Sequence, residues 1–286
     1  TFIDGLAALM RRSANHVDLS FCERDSTGSR QMVATGYWLD PSALADFTES
    51  AAFRAYWSKN SGDPAFGIFR EVFNIPLERF ETLHSGPDHL VGVAHARSGL
   101  SDPVDTHAYW GSMRDRIPAA AHNRFDPFGD IEIIERSPGR IVVRPGSNMA
   151  IIRSGQDIGP AEGVERQEYY ADVEPVLKTG MDFLRDKGRS EVNCHDCRFM
   201  ALVDDDGRPG DHTYGLAYFR SLADLEQWSE HHPTHLAIFN AFLQFAPRYG
   251  PAMQSRYWHE VSVLEAAGQY AEYINCAAGT GLAPLD

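Results

Sequence analysis

The sequence predicts an α+β protein assembled from two fused ferredoxin-like halves, and two observations lead there. Short β-rich runs alternate with amphipathic helical patterns along the 286 residues, and a strand, turn, helix, helix unit occurs twice. The first copy is GYWLDPSALADFTESAAFRAYW at 36–57, the second LAYFRSLADLEQWSEHHPTHLAIF at 216–239. Both follow a strand ending in aromatic residues and both carry Leu-Ala-Asp at the start of the first helix (Leu44, Ala45, Asp46; Leu222, Ala223, Asp224). At this level chance likeness between amphipathic helices accounts for the pattern equally well.

Strands are expected at 31–39, 66–73, 130–135, 140–144, 149–154, 193–203, 215–219, 257–264 and 272–276, where β-branched and aromatic residues cluster between turn formers. A helical pattern spans 164–187, with Val173, Val176, Leu177, Met181 and Leu184 on one stripe. Pro175 removes a backbone donor inside it, so a kink or restart is expected there, and Gly188 is the expected stop. The turn-rich stretches 85–105 and 123–130 read as long loops crossing a mouth. No low-complexity linker divides the chain, so the expectation is one domain over 1–286, its halves at roughly 30–155 and 190–286 joined by the helical segment 160–188.

The formal charge of 26 − 40 = −14 repels phosphate backbones and anionic lipid, which argues against nucleic acid and membrane surfaces as partners. No apolar run reaches the roughly 18 residues of a spanning helix, and no signal-like opening is present, so the expected location is cytoplasmic. Cys22, Cys194, Cys197 and Cys276 are too few and scattered for a disulfide framework. Cys194 and Cys197 form C-x-x-C around His195, which invites a zinc reading. A structural zinc site wants a second such pair, and reduced thiols are the preferred reading.

The run HHPTHLAIF at 231–239 offers an imidazole from the first turn of an apolar helix. Pro233 suits a first helical position, and His235, Ile238, Phe239 and Phe242 fall at i, i+3, i+4 and i+7. By periodicity alone His235 is either a hydrogen-bonded core histidine or an axial ligand to a flat apolar cofactor such as haem. C-x-x-C is here followed by Arg198 rather than His, so a haem would be held non-covalently.

From the GYW at 36–38 to its end, the chain resembles the aldoxime dehydratases, haem enzymes that convert R–CH=N–OH to R–C≡N and water. The sharpest stretches are FETL (80–83), YWGSMRDR (109–116), IIRSGQD (151–157), GMDFLRD (180–186), HPTHLAIF (232–239), WHEVSV (258–263) and EYINCAAGTG (272–281). The resemblance implies a dimeric α+β barrel with haem beside the sheet, a homodimer, haem b in the ferrous state for activity, and a small-molecule aldoxime as substrate. It assigns the axial ligand to His235, the general acid and base to His259, and further polar roles on the substrate side to Arg116, Ser154 and Glu81. Family members carry an additional segment ahead of the point matching Thr1, so an upstream stretch is expected. The chain also carries a short insertion at 246–254 (APRYGPAMQ), which puts the register of His259 in question.

These roles suit the residue types. Hydroxide leaves nitrogen badly, so an acid is needed at the oxygen and a base for the carbon proton, and a histidine titrating near neutrality serves both. Alternation puts Tyr257, His259, Val261 and Val263 on one face, and Ser154 with Ala150 and Ile152 on one face of its own strand. Arg116 and Ser154 are donors for the departing oxygen, and Glu81 can orient His259. The choice of Arg116 over Arg114 rests on the resemblance, since a surface ion pair suits either. Two other readings fit the residue types: a haem peroxidase or monooxygenase on a related barrel, and a cofactor-free barrel that binds a hydrophobic small molecule.

Overall fold

The computed structural model describes residues 1–63, 65–103, 109–204 and 206–285. Its strands are β1 (His16–Cys22), β2 (Gln31–Tyr37), β3 (Ile68–Val72), β4 (Phe80–His84), β5 (Glu132–Ser137), β6 (Arg140–Arg144), β7 (Ala150–Asp157), β8 (Cys194–Val203), β9 (Pro209–Phe219), β10 (Arg256–Val263) and β11 (Tyr270–Ile274). They form a seven-stranded sheet, β2-β1-β8-β9-β7-β10-β4, and a four-stranded sheet, β3-β11-β6-β5. Every pairing in both is antiparallel.

The molecule is a mixed α/β fold in three layers. Ala150, Ile152, Ala217, Phe219, Val261 and Val263 on one face of the large sheet pack under the helices Glu174–Glu191, Leu222–His231 and Pro233–Phe245. Ile151 and Tyr218 on the other face meet Val143, Ala271 and Tyr273 of the small sheet. Period-two alternation along β7, β9 and β10 thus feeds two separate cores. Both sheets are open among the described residues, with β2 and β4 at the edges of the large one, and no closed barrel forms.

All nine expected strands are present, β6 with the expected ends and the others with shifted ones, and β1 and β4 join them unforeseen. In β1 the buried positions are Asp18, Ser20 and Cys22 while Val17, Leu19 and Phe21 are only half-buried, so polar and apolar residues have exchanged their usual faces. In β4 the buried residue is Glu81. The helical pattern at 164–187 restarts as expected: an α-helix over Gly163–Glu168, a π turn over Tyr169–Val173, then Glu174–Glu191 with Pro175 in its first turn, where no donor is required. Gly188 does not stop this helix. It is needed for packing, because a Cβ there would lie 3.0 Å from Cys194 Cβ.

Both copies of the repeated unit are strand, helix, helix, with β2 leading into Pro41–Glu49 and Ala51–Ser61 and β9 into Leu222–His231 and Pro233–Phe245. Their settings differ, since β2 is a sheet edge and β9 is paired on both sides. The stretch expected as a loop at 85–105 contains the short helix Gly92–Ala96, and its last residues lie outside the described ones. No helix among the described residues is long and apolar enough to cross a membrane.

Candidate active site

His235 is delivered by helix capping. The His232 side chain accepts from the Thr234 backbone N–H, Pro233 opens the helix, and the Trp228 indole donates to Thr234 Oγ1 at 3.2 Å. The Trp228 ring then packs edge-on to His235 with centroids 4.6 Å apart. Burial lowers the pKa of His235, with only the Ser229 backbone carbonyl acting the other way, and so favours the neutral ring that a metal ligand needs. Its Nδ1 is buried, and the Ser229 backbone carbonyl is the polar group that acts on the ring.

The remaining predicted residues gather on the sheet face that these helices cover. On neighbouring strands, Ser154 of β7 stands directly opposite His259 of β10, and Glu81 of β4 stands opposite Val261, one pleat along. The insertion at 246–254 folds into two 3-10 turns, Ala246–Arg248 and Gly250–Ala252, and is absorbed before β10 begins at Arg256. The register of His259 is thus intact.

Arg116 arrives from the short helix Met113–Arg116, and its planar fork ties the group together. Nε donates to Glu81 Oε2 at 2.8 Å, Nη1 to the Tyr109 carbonyl at 2.8 Å, and Nη2 to the Trp110 carbonyl at 3.1 Å. Nη2 also stands 3.2 Å from His259 Nε2. That same Nε2 lies 2.8 Å from Glu81 Oε1, an ion-pair contact off the line of a hydrogen bond, since Oε1 has no hydrogen-bond partner. The side chains of Glu81, Arg116 and His259 are 2%, 9% and 6% exposed, which makes this a desolvated triad. Arg114 takes the bland role instead, a two-pronged pair with Glu226 at 2.8 and 2.7 Å.

Ser154 is exposed although its strand is paired on both sides and lies beneath helices, so the face around it is open to a flat group. Together with the half-buried His235 ring, which the Ser229 carbonyl can orient, and the half-buried Ile238, Phe239 and Phe242, this is a set of residues that fits haem. A separate groove of about 1390 Å³ lies on the opposite sheet face against Trp38, Phe47, Arg153 and Glu260, and none of the five predicted residues lines it.

Sequence reasoning assigned no role to Trp110, whose ring meets His259 edge-on at 5.1 Å, nor to Tyr109, which meets Phe239 at 6.0 Å. Both sit in the YWGSMRDR stretch, which was the available signal. Cys194 and Cys197 share one core because a β-bulge between Cys194 and Asp196 brings residues three apart onto one face. Burial raises both thiol pKa values, and they do not join the one group of described residues with metal-ligand spacing.

The sequence model of the haem-containing dehydratases matches residues 2–282. The chain belongs to that family. It is 40% identical over 262 residues to aliphatic aldoxime dehydratases of Rhodococcus globerulus and Pseudomonas chlororaphis, covering 90% of this chain and 73% of each relative. It is 32% identical over 283 residues to the phenylacetaldoxime dehydratase of Bacillus sp. strain OxB-1, covering 96% and 80%. A crystal structure of an aldoxime dehydratase in complex with butyraldoxime superposes with a TM-score of 0.91 at 38% identity, over 98% of this chain and 78% of that one. Haem is a property of that family.

Proposed function

We propose that this chain is a haem-dependent lyase that dehydrates aldoximes to nitriles, with haem b held non-covalently by His235, ferrous for activity, and with His259 as general acid and base. The observation that carries this reading is the placing of His259 Nε2 between the Glu81 carboxylate and the Arg116 guanidinium, with Ser154 beside it in register. The names of its relatives, which include both aliphatic and phenylacetaldoxime dehydratases, support the substrate class.

Bound haem supplies an iron for the oxime nitrogen and electron density for the weakening N–O bond. The protein does the proton work. Protonated His259 gives its proton to the departing hydroxyl, which leaves as water, and the neutral ring then takes the proton from the oxime carbon. Nε2 has a partner in either state: neutral, it accepts from Arg116 Nη2; protonated, it is drawn to Glu81 Oε1. Ser154 Oγ and Arg116 donate to the departing oxygen, and Trp110 and Phe239 keep water from the pocket. Atoms balance as R–CH=N–OH going to R–C≡N and H₂O, with no net electrons consumed.

The whole chain acts as one domain, since its core joins Met113, Ile117 and Ala150 to Leu184, Phe219 and Val261. Two such chains form a homodimer in the cytoplasm. The repeated strand, helix, helix units support an origin in duplicated ferredoxin-like halves and a dimeric α+β barrel arrangement, which sedimentation and a structure of the dimer test. The functional test is an anaerobic assay of dithionite-reduced holoprotein against alkyl and aryl aldoximes. Nitrile should form only with reduced iron; equal rates in the ferric form overturn the mechanism, and peroxide turnover without nitrile points to the peroxidase reading.

A further inference from the structure

On the sheet face away from the haem side, Asp157 of β7 and His212 of β9 stand directly opposite each other in register. Asp157 is three residues beyond Ser154, so the pleat turns it to the other face. His89, from the segment between β4 and the helix Gly92–Ala96, completes the group. One donor atom from each residue lies within 4.8 Å of the other two.

The details fit ligands rather than a settled polar cluster. Asp157 Oδ1 accepts the Gly159 backbone N–H at 2.9 Å, which fixes the carboxylate and leaves Oδ2 facing His89 Nε2 at 3.8 Å. That separation is too long for a hydrogen bond. It is close to the roughly 3.3 Å edge between two ligands each about 2.0–2.1 Å from one tetrahedral ion. His89 Nε2 is buried and has no hydrogen-bond partner. His84, opposite Trp258 across the β4–β10 pair, adds a second buried and unpartnered Nε2 on the same face. The Trp258 indole donates to His212 Nε2 at 2.9 Å and holds that ring in place. His212 enters coordination as a neutral ligand through Nε2, exchanging this hydrogen bond for the ion.

We propose that His89, Asp157 and His212 form a binding site for a divalent transition cation of the zinc class, separate from haem, with water completing a tetrahedron. Two imidazoles and one carboxylate suit zinc better than the all-oxygen preference of calcium or magnesium. The ion pins the 85–91 segment to the ends of β7 and β9, the strands that carry and flank Ser154.

The test is equilibrium dialysis of holoprotein against zinc chloride, with metal counted per chain beside haem iron. One zinc per chain is expected, together with a zinc-dependent rise in the unfolding midpoint. His89→Gln, Asp157→Asn and His212→Gln should each weaken uptake at least tenfold and abolish that rise, and His89→Gln, which changes a loop rather than a strand, should keep its haem and its aldoxime turnover. No zinc uptake by the parent, or equal uptake by the three variants, overturns the proposal.

Discussion

Ser154 and His259 face each other as a registered cross-strand pair of β7 and β10, which places a hydroxyl and an imidazole on one sheet face about 5 Å apart at their Cβ atoms. No flexible loop intervenes between them. This side of the candidate site is therefore built on paired strands, with Glu81 one strand further along, and Arg116 comes from outside the sheet.

Replacing His235 by Ala should give folded protein with little or no haem. The ring leans on Trp228 near the surface of its helix and its loss opens little core, whereas no other described histidine is presented by that helix face. Haem content measured as the pyridine haemochrome checks this, and full retention with an unchanged spectrum refutes the ligand assignment.

His259→Ala should separate binding from chemistry. Haem and aldoxime binding persist, and turnover falls by about 10² to 10⁴, the usual worth of a positioned acid and base. Ser154→Ala removes a donor rather than the proton source and should cost less. Single-turnover decay of the substrate-bound spectrum distinguishes these outcomes; conversion at the parent rate moves the acid elsewhere.

Arg116→Lys tests the fork. An ammonium keeps the charge but cannot reach Glu81, two carbonyls and His259 in one plane, so the Tyr109–Trp110 segment loses its tether. Turnover should fall by roughly 10² with a displaced pH profile. An unchanged profile would confine Arg116 to a structural role.

His195 carries a pH signature. Burial, then the charges of Arg189 and Arg220, push its pKa down to about 4. Because the folded value lies below the unfolded one of about 6.5, its contribution is present above pH 6.5 and is lost as pH falls toward 4, about 3 kcal/mol at roughly 1.4 kcal/mol per unit. Urea unfolding of His195→Gln should be flatter than the parent's between these values; identical slopes would remove His195 as the source.

Local pattern was enough to place nine strands, to start the helix at Pro233 and to put His235 on its half-buried apolar stripe, because periodicity and capping act over a few residues. Resemblance to known enzymes supplied the identities of Glu81, Arg116, Ser154 and His259. Local pattern could not say which of Arg114 and Arg116 reaches the imidazole, since Glu226 and Glu81 are selected by docking of the 113–116 turn over 100 residues from one partner and about 35 from the other. Strands β1 and β4 escaped detection because their buried faces carry Asp18, Ser20 and Glu81, whose partners Arg153, Tyr214 and Arg116 come from distant segments. The sequence by itself determined most of the elements and the residue types of the candidate site; the tertiary structure decided which polar groups meet, because desolvation makes a buried charge tolerable only where long-range register brings its partner within reach.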